Sequence, residues 1–272
     1  MKLAVSNVAW YNGRINEFAP FIAGLGCSGI ELALSMVWPD PLKSSKKERA
    51  DLRNLLIEND LVLTGFQALL YSRPDLVLFG DEKKRNEMLF LLTGLMDICH
   101  DIGGEVLVFG SPRNRNAGSM PKEKSRSIAL EFFRQLGKKA EERSVFFCIE
   151  PLGRAETDFI NTVHDAHSFI EELGNPEGLG LHIDTKGIFD EHETDEPYLT
   201  NMFSIAKHIH ISEPDLKPVG LGHCDHETLS RKIRMSRYNR FISIEMKRNE
   251  GNVEKTIASS VSFVKNVYFD GD

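Results

Sequence analysis

Short apolar runs and longer amphipathic stretches alternate along the whole chain. The apolar runs are rich in Val, Ile, Leu and Phe, and Gly, Pro, Asp or Ser residues bound them. They predict eight β-strands, at residues 2–6, 29–33, 61–66, 105–109, 145–150, 179–184, 207–211 and 241–246. Between the strands, apolar residues recur three and four positions apart, which predicts amphipathic helices, most clearly over 86–102, 121–142 and 253–264.

This order of elements predicts the fold class. Repeated strand–helix units indicate parallel strands joined by crossover helices. Eight such units in 272 residues fit a closed (β/α)8 barrel, the TIM barrel, better than an open sheet. No Gly/Ser-rich linker and no shift in composition divides the chain. We therefore expect an α/β protein with one TIM-barrel domain over residues 1–272.

Composition and charge exclude several classes of protein. The net charge is −7 and no basic block occurs, which disfavours nucleic acid and anionic membranes as partners. No apolar stretch approaches the ~20 residues that cross a bilayer. The four cysteines lack paired spacing, as in reduced cytosolic proteins, and the N-terminus lacks the features of a signal peptide. We expect a cytoplasmic protein that binds neither nucleic acid nor membrane.

Four consecutive predicted strands end in side chains that can bind a metal ion. They are Glu150, Asp184, His210 and Glu245, separated by 34, 26 and 35 residues, or about one strand–helix unit each. Active sites of such barrels lie at the carboxyl ends of the strands, so these groups should converge. A lone acid there could be a helix cap or a surface residue, but four in register are harder to explain so. Three carboxylates and one imidazole suit Mn²⁺, Mg²⁺ or Co²⁺ and tolerate Zn²⁺.

Two further histidines precede these candidates. His182 and His208 each lie two residues before a proposed ligand, so they face the same side of their strands, one layer deeper. We interpret them as supporting or core residues rather than direct ligands.

Other predicted strand ends carry candidate substrate-binding residues. Trp10 could stack on a sugar face or simply pack in its loop, and Gln67 could hydrogen-bond to a hydroxyl group. Ser111, Arg113 and Arg115 follow the fourth strand. Arginines there could hold a phosphate or a carboxylate, or lie on the surface.

The segment around the fifth strand has a pattern specific enough to indicate a family. It reads Glu150-Pro-Leu-Gly-Arg-Ala-Glu156, followed by Asn161-Thr162. Further matches are Gly29-Ile-Glu31, residues 108–113, Asp184-Thr185, His210 with Glu213, residues 220–225 and Ile244-Glu245. Over essentially its whole length, the chain resembles the xylose isomerase-like barrel superfamily. Within it, the chain is similar to the sugar phosphate isomerase/epimerase group, which includes D-tagatose and D-psicose 3-epimerases.

The resemblance implies a function and roles for residues. It implies a metal-dependent sugar or sugar phosphate isomerase/epimerase that abstracts a proton next to a chelated carbonyl and forms an enediolate. Glu150, Asp184, His210 and Glu245 would bind the divalent ion, and Glu150 and Glu245 would be the acid/base pair. Glu156 would bind substrate hydroxyls, and Lys186 and Glu213 complete the candidate substrate-binding set with Trp10 and Gln67. The implied partner is a small carbohydrate, and family members often form dimers or tetramers, so a homo-oligomer is possible.

The chain departs from the family epimerases at two substrate-contacting positions. Gly187 stands where they carry a histidine, and Leu216 stands where they carry an arginine. These departures argue against a free ketohexose as the substrate. Candidates to replace the two groups, for a different substrate, are Lys186, His192, Arg154 and Lys247.

Three alternatives share this barrel. A dehydratase of the inosose or dehydroshikimate type would use the same four ligands, and the sequence barely separates it from an isomerase. An abasic-site endonuclease is disfavoured because no histidine ends strands two to four and the chain is acidic. A non-catalytic sugar-binding barrel is the third alternative, against which the retained Glu150 and Glu245 argue.

Overall fold

The strands form a closed parallel barrel in the computed structural model, which describes residues 1–269. Each strand pairs with the next along the chain, and the eighth pairs with the first. The strands are β1 (Lys2–Ser6), β2 (Gly29–Ala33), β3 (Val62–Gln67), β4 (Val106–Phe109), β5 (Phe146–Ile149), β6 (Leu179–Asp184), β7 (His208–Ile211) and β8 (Phe241–Ile244). This confirms the predicted (β/α)8 barrel.

Helices cover the outside of the barrel. They are α1 (Ile15–Gly24), α2 (Lys46–Glu58), α3 (Glu82–Ile102), α4 (Lys122–Glu141), α5 (Val163–Glu172), α6 (Thr185–Asp190), α7 (Leu199–Ile205), α8 (His226–Met235) and α9 (Val253–Val264). Short polar side chains begin many of them: Ser45 and Thr162 form capping boxes, and Asp81 accepts a hydrogen bond from the first turn of α3. Local sequence therefore sets where these helices begin.

The predicted element bounds agree with the structure to within a few residues. All eight strands were expected at these places, and the three clearest helices correspond to α3, α4 and α9. One connection differs from the expected single helix, because α6 and α7 both lie between β6 and β7. Asp184 accepts a hydrogen bond from the Lys186 amide, so α6 begins directly at the strand end. Residues 270–272 of the predicted domain lie outside the described residues.

The closing pair of strands brings the two ends of the barrel sequence together. Lys2 lies opposite Phe241 and Val5 lies opposite Ile244, in parallel register. At the other side of β8, Ser243 lies opposite His210, which in turn lies opposite Asp184 on β6. The polar residues predicted at the strand ends are thereby held in neighbouring positions around one mouth of the barrel.

Two further expectations concern the thiols and the membrane. The four cysteines are unpaired, and Cys27, Cys99 and Cys148 are buried. Burial raises the pKa of Cys27 and of Cys148 to about 12, so both stay protonated thiols at neutral pH. Among residues 1–269, no helix has the length and apolar character to cross a membrane. A cytoplasmic location stays a prediction.

A close approach between two strands yields a test of the fold. A Cβ atom on Gly65 of β3 would lie 2.1 Å from the carbonyl oxygen of Val106 on β4. We expect Gly65→Ala to lower the free energy of unfolding by about 2 kcal/mol or more, because strand backbone would have to move. Urea unfolding followed by circular dichroism measures this. The control is Gly24→Ala at the end of α1, where the added Cβ would meet no described heavy atom within 4 Å apart from its own helix backbone and chain neighbours. Equal midpoints for the two variants would contradict the close packing of β3 on β4.

Candidate metal centre and sugar site

Four predicted metal donors come together at the carboxyl ends of β5 to β8. Glu150 directly follows β5, Asp184 ends β6, His210 lies on β7 and Glu245 directly follows β8. One donor atom from each lies within 4.8 Å of the donor atoms of the other three. The convergence expected from their spacing is therefore present in the structure, and their role as ligands stays a prediction.

The electrostatics of this cluster fit a divalent cation. Glu150 and Asp184 are buried, and burial raises the pKa of both carboxyl groups. The negative charge of Glu245 raises the pKa of both carboxyl groups further, and the negative charge of Asp184 also raises the pKa of Glu150. Three carboxylates crowded in this way repel one another unless a cation or protons neutralise them. Because oxygen-rich sets with one imidazole suit hard divalent ions, the residues present fit such an ion.

His210 is oriented as a metal ligand requires. Its Nε2 lies 2.9 Å from both carboxylate oxygens of Glu31 and donates its proton to them. Its Nδ1 is buried, has no hydrogen-bond partner among residues 1–269, and lies 3.3 Å from Glu245 Oε2. A histidine that donates one ring proton to a carboxylate presents the other nitrogen to a metal. Gly110 leaves room for the carboxylate of Glu150, because a Cβ atom on Gly110 would lie 2.1 Å from Glu150 Oε2.

Glu31 on β2 is the main residue of the site to which the sequence analysis gave no role. It is fully buried, accepts a hydrogen bond from Ser243 Oγ at 2.9 Å, and lies 3.2 Å from His208 Nε2. Burial opposes its charge, but the electrostatic and hydrogen-bond contacts of His210 and His208 hold the pKa of Glu31 well below its usual range. The signal in the sequence was an acid in the middle of an apolar strand, which is costly without a partner.

The two deeper histidines differ in their surroundings. His208 contacts Glu31, as a supporting residue would. His182 Nε2 lies 3.7 Å from Glu150 Oε1, and neither ring nitrogen of His182 makes a hydrogen bond within the described chain. Burial, followed by the charges of His210 and His208, lowers the pKa of His182 well below its usual value, so this ring is neutral.

A cavity of about 520 Å³ opens over the donors. Gln67, Glu156 and Lys186 line it, together with Glu150, Asp184 and Glu245. Lys186 Nζ lies 2.6 Å from Glu156 and 2.8 Å from Asp190. Burial opposes its charge, but these carboxylates raise the pKa of Lys186 above its usual value. Gln67, Glu156 and Lys186 are therefore placed where a substrate could reach them.

The structure places the other two substrate-binding candidates away from the cavity lining. Trp10 is buried and stacks on Phe18, with 4.8 Å between ring centroids, so it packs in the core. Glu213 accepts hydrogen bonds from His226 and from the backbone amides of residues 220, 223 and 224. These bonds, led by that of His226, hold the pKa of Glu213 at about 2 although burial opposes its charge. Its carboxylate oxygens are thus used to hold the loop after β7.

The basic residues considered as substrate ligands lie in different places: some line the cavity, others do not, and one is buried in the core. Lys186 and Arg113 line the cavity, whereas His192, Arg154 and Lys247 do not. Arg115 is fully buried rather than on the surface, and two of its nitrogens have no hydrogen-bond partner in the described part of the chain. Burial lowers the pKa of Arg115 to about 10, which still leaves its side chain a cation at neutral pH.

Fold and site together define a parallel (β/α)8 barrel with a candidate metal centre at the carboxyl ends of its strands. The chain belongs to the xylose isomerase-like TIM barrel family, which it matches over residues 20–267.

Several characterised proteins are similar to this chain. The L-ribulose 3-epimerase of Methylomonas sp. (strain DH-1) is 23% identical over 256 residues, which cover 92% of this chain and 85% of the relative. The D-psicose 3-epimerase of Clostridium cellulolyticum H10, solved with D-tagatose, superposes with a TM-score of 0.83 at 18% identity, covering 98% and 99% of the two chains. The IOLI protein, solved with a bound zinc atom, has a TM-score of 0.77 at 19% identity and covers 99% of both chains.

Glu31 allows a test of how the imidazole is held. We expect Glu31→Gln to weaken metal affinity by about 10- to 100-fold, because the amide no longer fixes the His210 ring with a charged acceptor. Titration of metal-stripped protein with Mn²⁺ in a calorimeter measures the affinity. Glu193→Gln is the matched control, since Glu193 is also buried but bonds to Tyr198 and Val163 instead. Unchanged Mn²⁺ affinity in Glu31→Gln would show that Glu31 does not act through His210.

Proposed function

We propose that this protein is a metal-dependent sugar isomerase or epimerase that moves a proton next to a carbonyl group. The observation that carries the proposal is the convergence of Glu150, Asp184, His210 and Glu245 below an open cavity. The 3-epimerase relatives support the same reaction class.

The metal would be held by these four residues, with Mn²⁺, Mg²⁺ or Co²⁺ favoured by the donor set and Zn²⁺ tolerated. When bound, a divalent ion supplies a Lewis acid that polarises a carbonyl and stabilises the negative charge of an enediolate. The chain itself supplies the orientation: Glu31 fixes His210, and Ser212 Oγ donates a hydrogen bond to Asp184.

Glu150 and Glu245 are the proposed acid/base pair. They follow β5 and β8, with β6 and β7 between them, so they approach the cluster from different sides. One carboxylate takes the proton from the carbon next to the carbonyl, and the other returns a proton. Return to the opposite face of the same carbon gives an epimer, and return to the neighbouring carbon gives an aldose–ketose isomer. Glu150 is buried, which limits the access of competing water to it, whereas Glu245 is half-buried at the cavity.

Lys186 and Glu156 are proposed to orient the substrate. The ion pair between them lines the cavity, and both can bond to hydroxyl groups. Gly187 and Leu216 leave no histidine or arginine at the positions where family epimerases use them. We therefore propose that Lys186 takes over part of that binding, for a substrate other than a free ketohexose.

A dehydratase would need the same donors and one more step, loss of a β-hydroxyl group. No observation favours it over an epimerase, and product analysis separates the two, because a dehydratase releases water and leaves a carbonyl compound. Nor does any observation favour a non-catalytic barrel, since such a barrel would have no need for Glu150 and Glu245 as an acid/base pair within the donor cluster.

The acid/base pair is tested by solvent exchange. We expect Glu245→Gln to abolish deuterium incorporation from heavy water into ketoses, because the amide cannot carry the proton. Nuclear magnetic resonance of the sugar measures the incorporation and identifies the labelled carbon. The control, Glu177→Gln, makes the same change at an exposed residue before β6, at the opposite end of the barrel. Deuterium uptake by Glu245→Gln at the wild-type rate would remove Glu245 from the mechanism.

Metal dependence is tested separately. We expect the purified protein to hold about one divalent ion per chain, and removal with a chelator to stop deuterium uptake. Addition of Mn²⁺ or Co²⁺ should restore it, and elemental mass spectrometry measures the ion content. If no ion binds stoichiometrically after reconstitution, the four-donor site is wrong.

A further inference from the structure

The cavity extends well beyond the metal donors. The donors follow β5 to β8, whereas Tyr71, Pro74 and Arg113 line the cavity from the loops after β3 and β4. In a ring of eight strands, β3 and β4 lie across from β7 and β8. The cavity therefore crosses the mouth of the barrel, and we call the part lined by Tyr71, Pro74 and Arg113 the outer subsite.

The size of the cavity indicates a ligand larger than one sugar ring. Its volume of about 520 Å³ lies inside the range of roughly 300–1,000 Å³ for pockets that enclose drug-sized ligands. A monosaccharide is smaller than such a ligand. Bound at Glu150 and Glu245, it would leave the outer subsite filled with water.

Tyr71 gives the outer subsite its chemistry. Its side chain is 82% exposed, although it lines the cavity. Covering a large exposed aromatic ring with an apolar surface lowers the free energy, because apolar area is removed from water. A pyranose ring has apolar C–H faces and hydroxyl groups at its edge, so it can stack on Tyr71 and accept hydrogen bonds from Arg113. Arg113 is exposed and lines the cavity, so its guanidinium can reach a ligand there.

The loops that carry these residues are fixed in place. Asn114 donates hydrogen bonds to the carbonyl oxygens of Arg73 and Leu76, which ties the loop after β4 to the loop after β3. Asp158 accepts hydrogen bonds at 2.7 Å from the amides of Ala117 and Gly118, which ties the β4 loop to the loop after β5. A surface held in this way loses little conformational freedom when a ligand binds.

We propose that the outer subsite binds the second sugar ring of a glycosylated ketose, so that the substrate is a glycoside or disaccharide rather than a free monosaccharide. This inference deepens the proposed function and rests on it for the position of the reacting sugar. The loss of the family histidine and arginine at Gly187 and Leu216 agrees with it, because contacts to a second ring can replace contacts to the first.

Binding measurements with sugars of matched chemistry test the proposal. The probes are D-fructose, lactulose and isomaltulose, the last two being D-fructose with a glycosyl group on different hydroxyls, and D-fructose 6-phosphate. We expect at least one disaccharide to bind the metal-loaded protein about tenfold more tightly than D-fructose, equivalent to about 1.4 kcal/mol. Tyr71→Ala should remove this advantage and leave D-fructose binding unchanged. Calorimetry measures the affinities, and saturation-transfer magnetic resonance shows which ring contacts the protein.

Phe90→Ala is the matched control, because Phe90 is 73% exposed on α3 and does not line the cavity. It should bind every probe as the wild type does. Equal affinity for D-fructose and both disaccharides would overturn the proposal. So would a preference for D-fructose 6-phosphate that Arg113→Gln abolishes, which would mark an anion site. A change of oligomeric mass in Tyr71→Ala, with all affinities unchanged, would instead place Tyr71 in an interface between copies and also overturn it.

Failure of the outer-subsite proposal can be distinguished from failure of the proposed function. The preference for disaccharides is measured as a difference in affinity, which does not require turnover. If no sugar takes up deuterium, the proposed function is wrong. The relative affinities for disaccharides and D-fructose still decide whether the outer subsite binds a second ring. If D-fructose takes up deuterium equally well in the wild type and in Tyr71→Ala, and no disaccharide binds better, only the outer subsite is wrong.

Discussion

The cost of burying charge governs this site. Each carboxylate moved out of water costs several kcal/mol unless a partner compensates it, and three converge on one point here. Glu31 adds another buried carboxylate, and its charge is compensated by contacts with His208 and His210 and by a hydrogen bond from Ser243. A divalent cation would neutralise the negative charge that remains in the cluster.

The convergence of the donors could be predicted from the sequence because barrel geometry is periodic. Parallel strands joined by helices must end at the same mouth, so polar residues one strand–helix unit apart meet there. Glu150, Asp184, His210 and Glu245 obey this rule. The strand bounds were equally accessible, because buried parallel strands are continuous apolar runs with sharp polar limits.

What could not be predicted depends on contacts between distant loops. Trp10 stacks on Phe18 in the core, and Glu213 bonds to His226, yet both follow strands just as cavity residues do. Position along a strand says which end a side chain occupies, but not whether a neighbouring loop takes up its polar atoms. Arg115 shows the same limit, since nothing in its sequence surroundings indicates that it is fully buried.

The pairing of β8 with β1 has a consequence for how the protein is made. Ribosomes complete the amino-terminal part of a chain first, so Glu150, Asp184 and His210 exist before Glu245 has been synthesised. The fourth donor reaches the other three only when β8 is added between β7 and β1. An ion that requires all four donors would therefore bind the finished barrel alone and favour it over any partly assembled chain. The metal centre would thus stabilise the pairing of β8 with β1, which is the last step in closing the barrel.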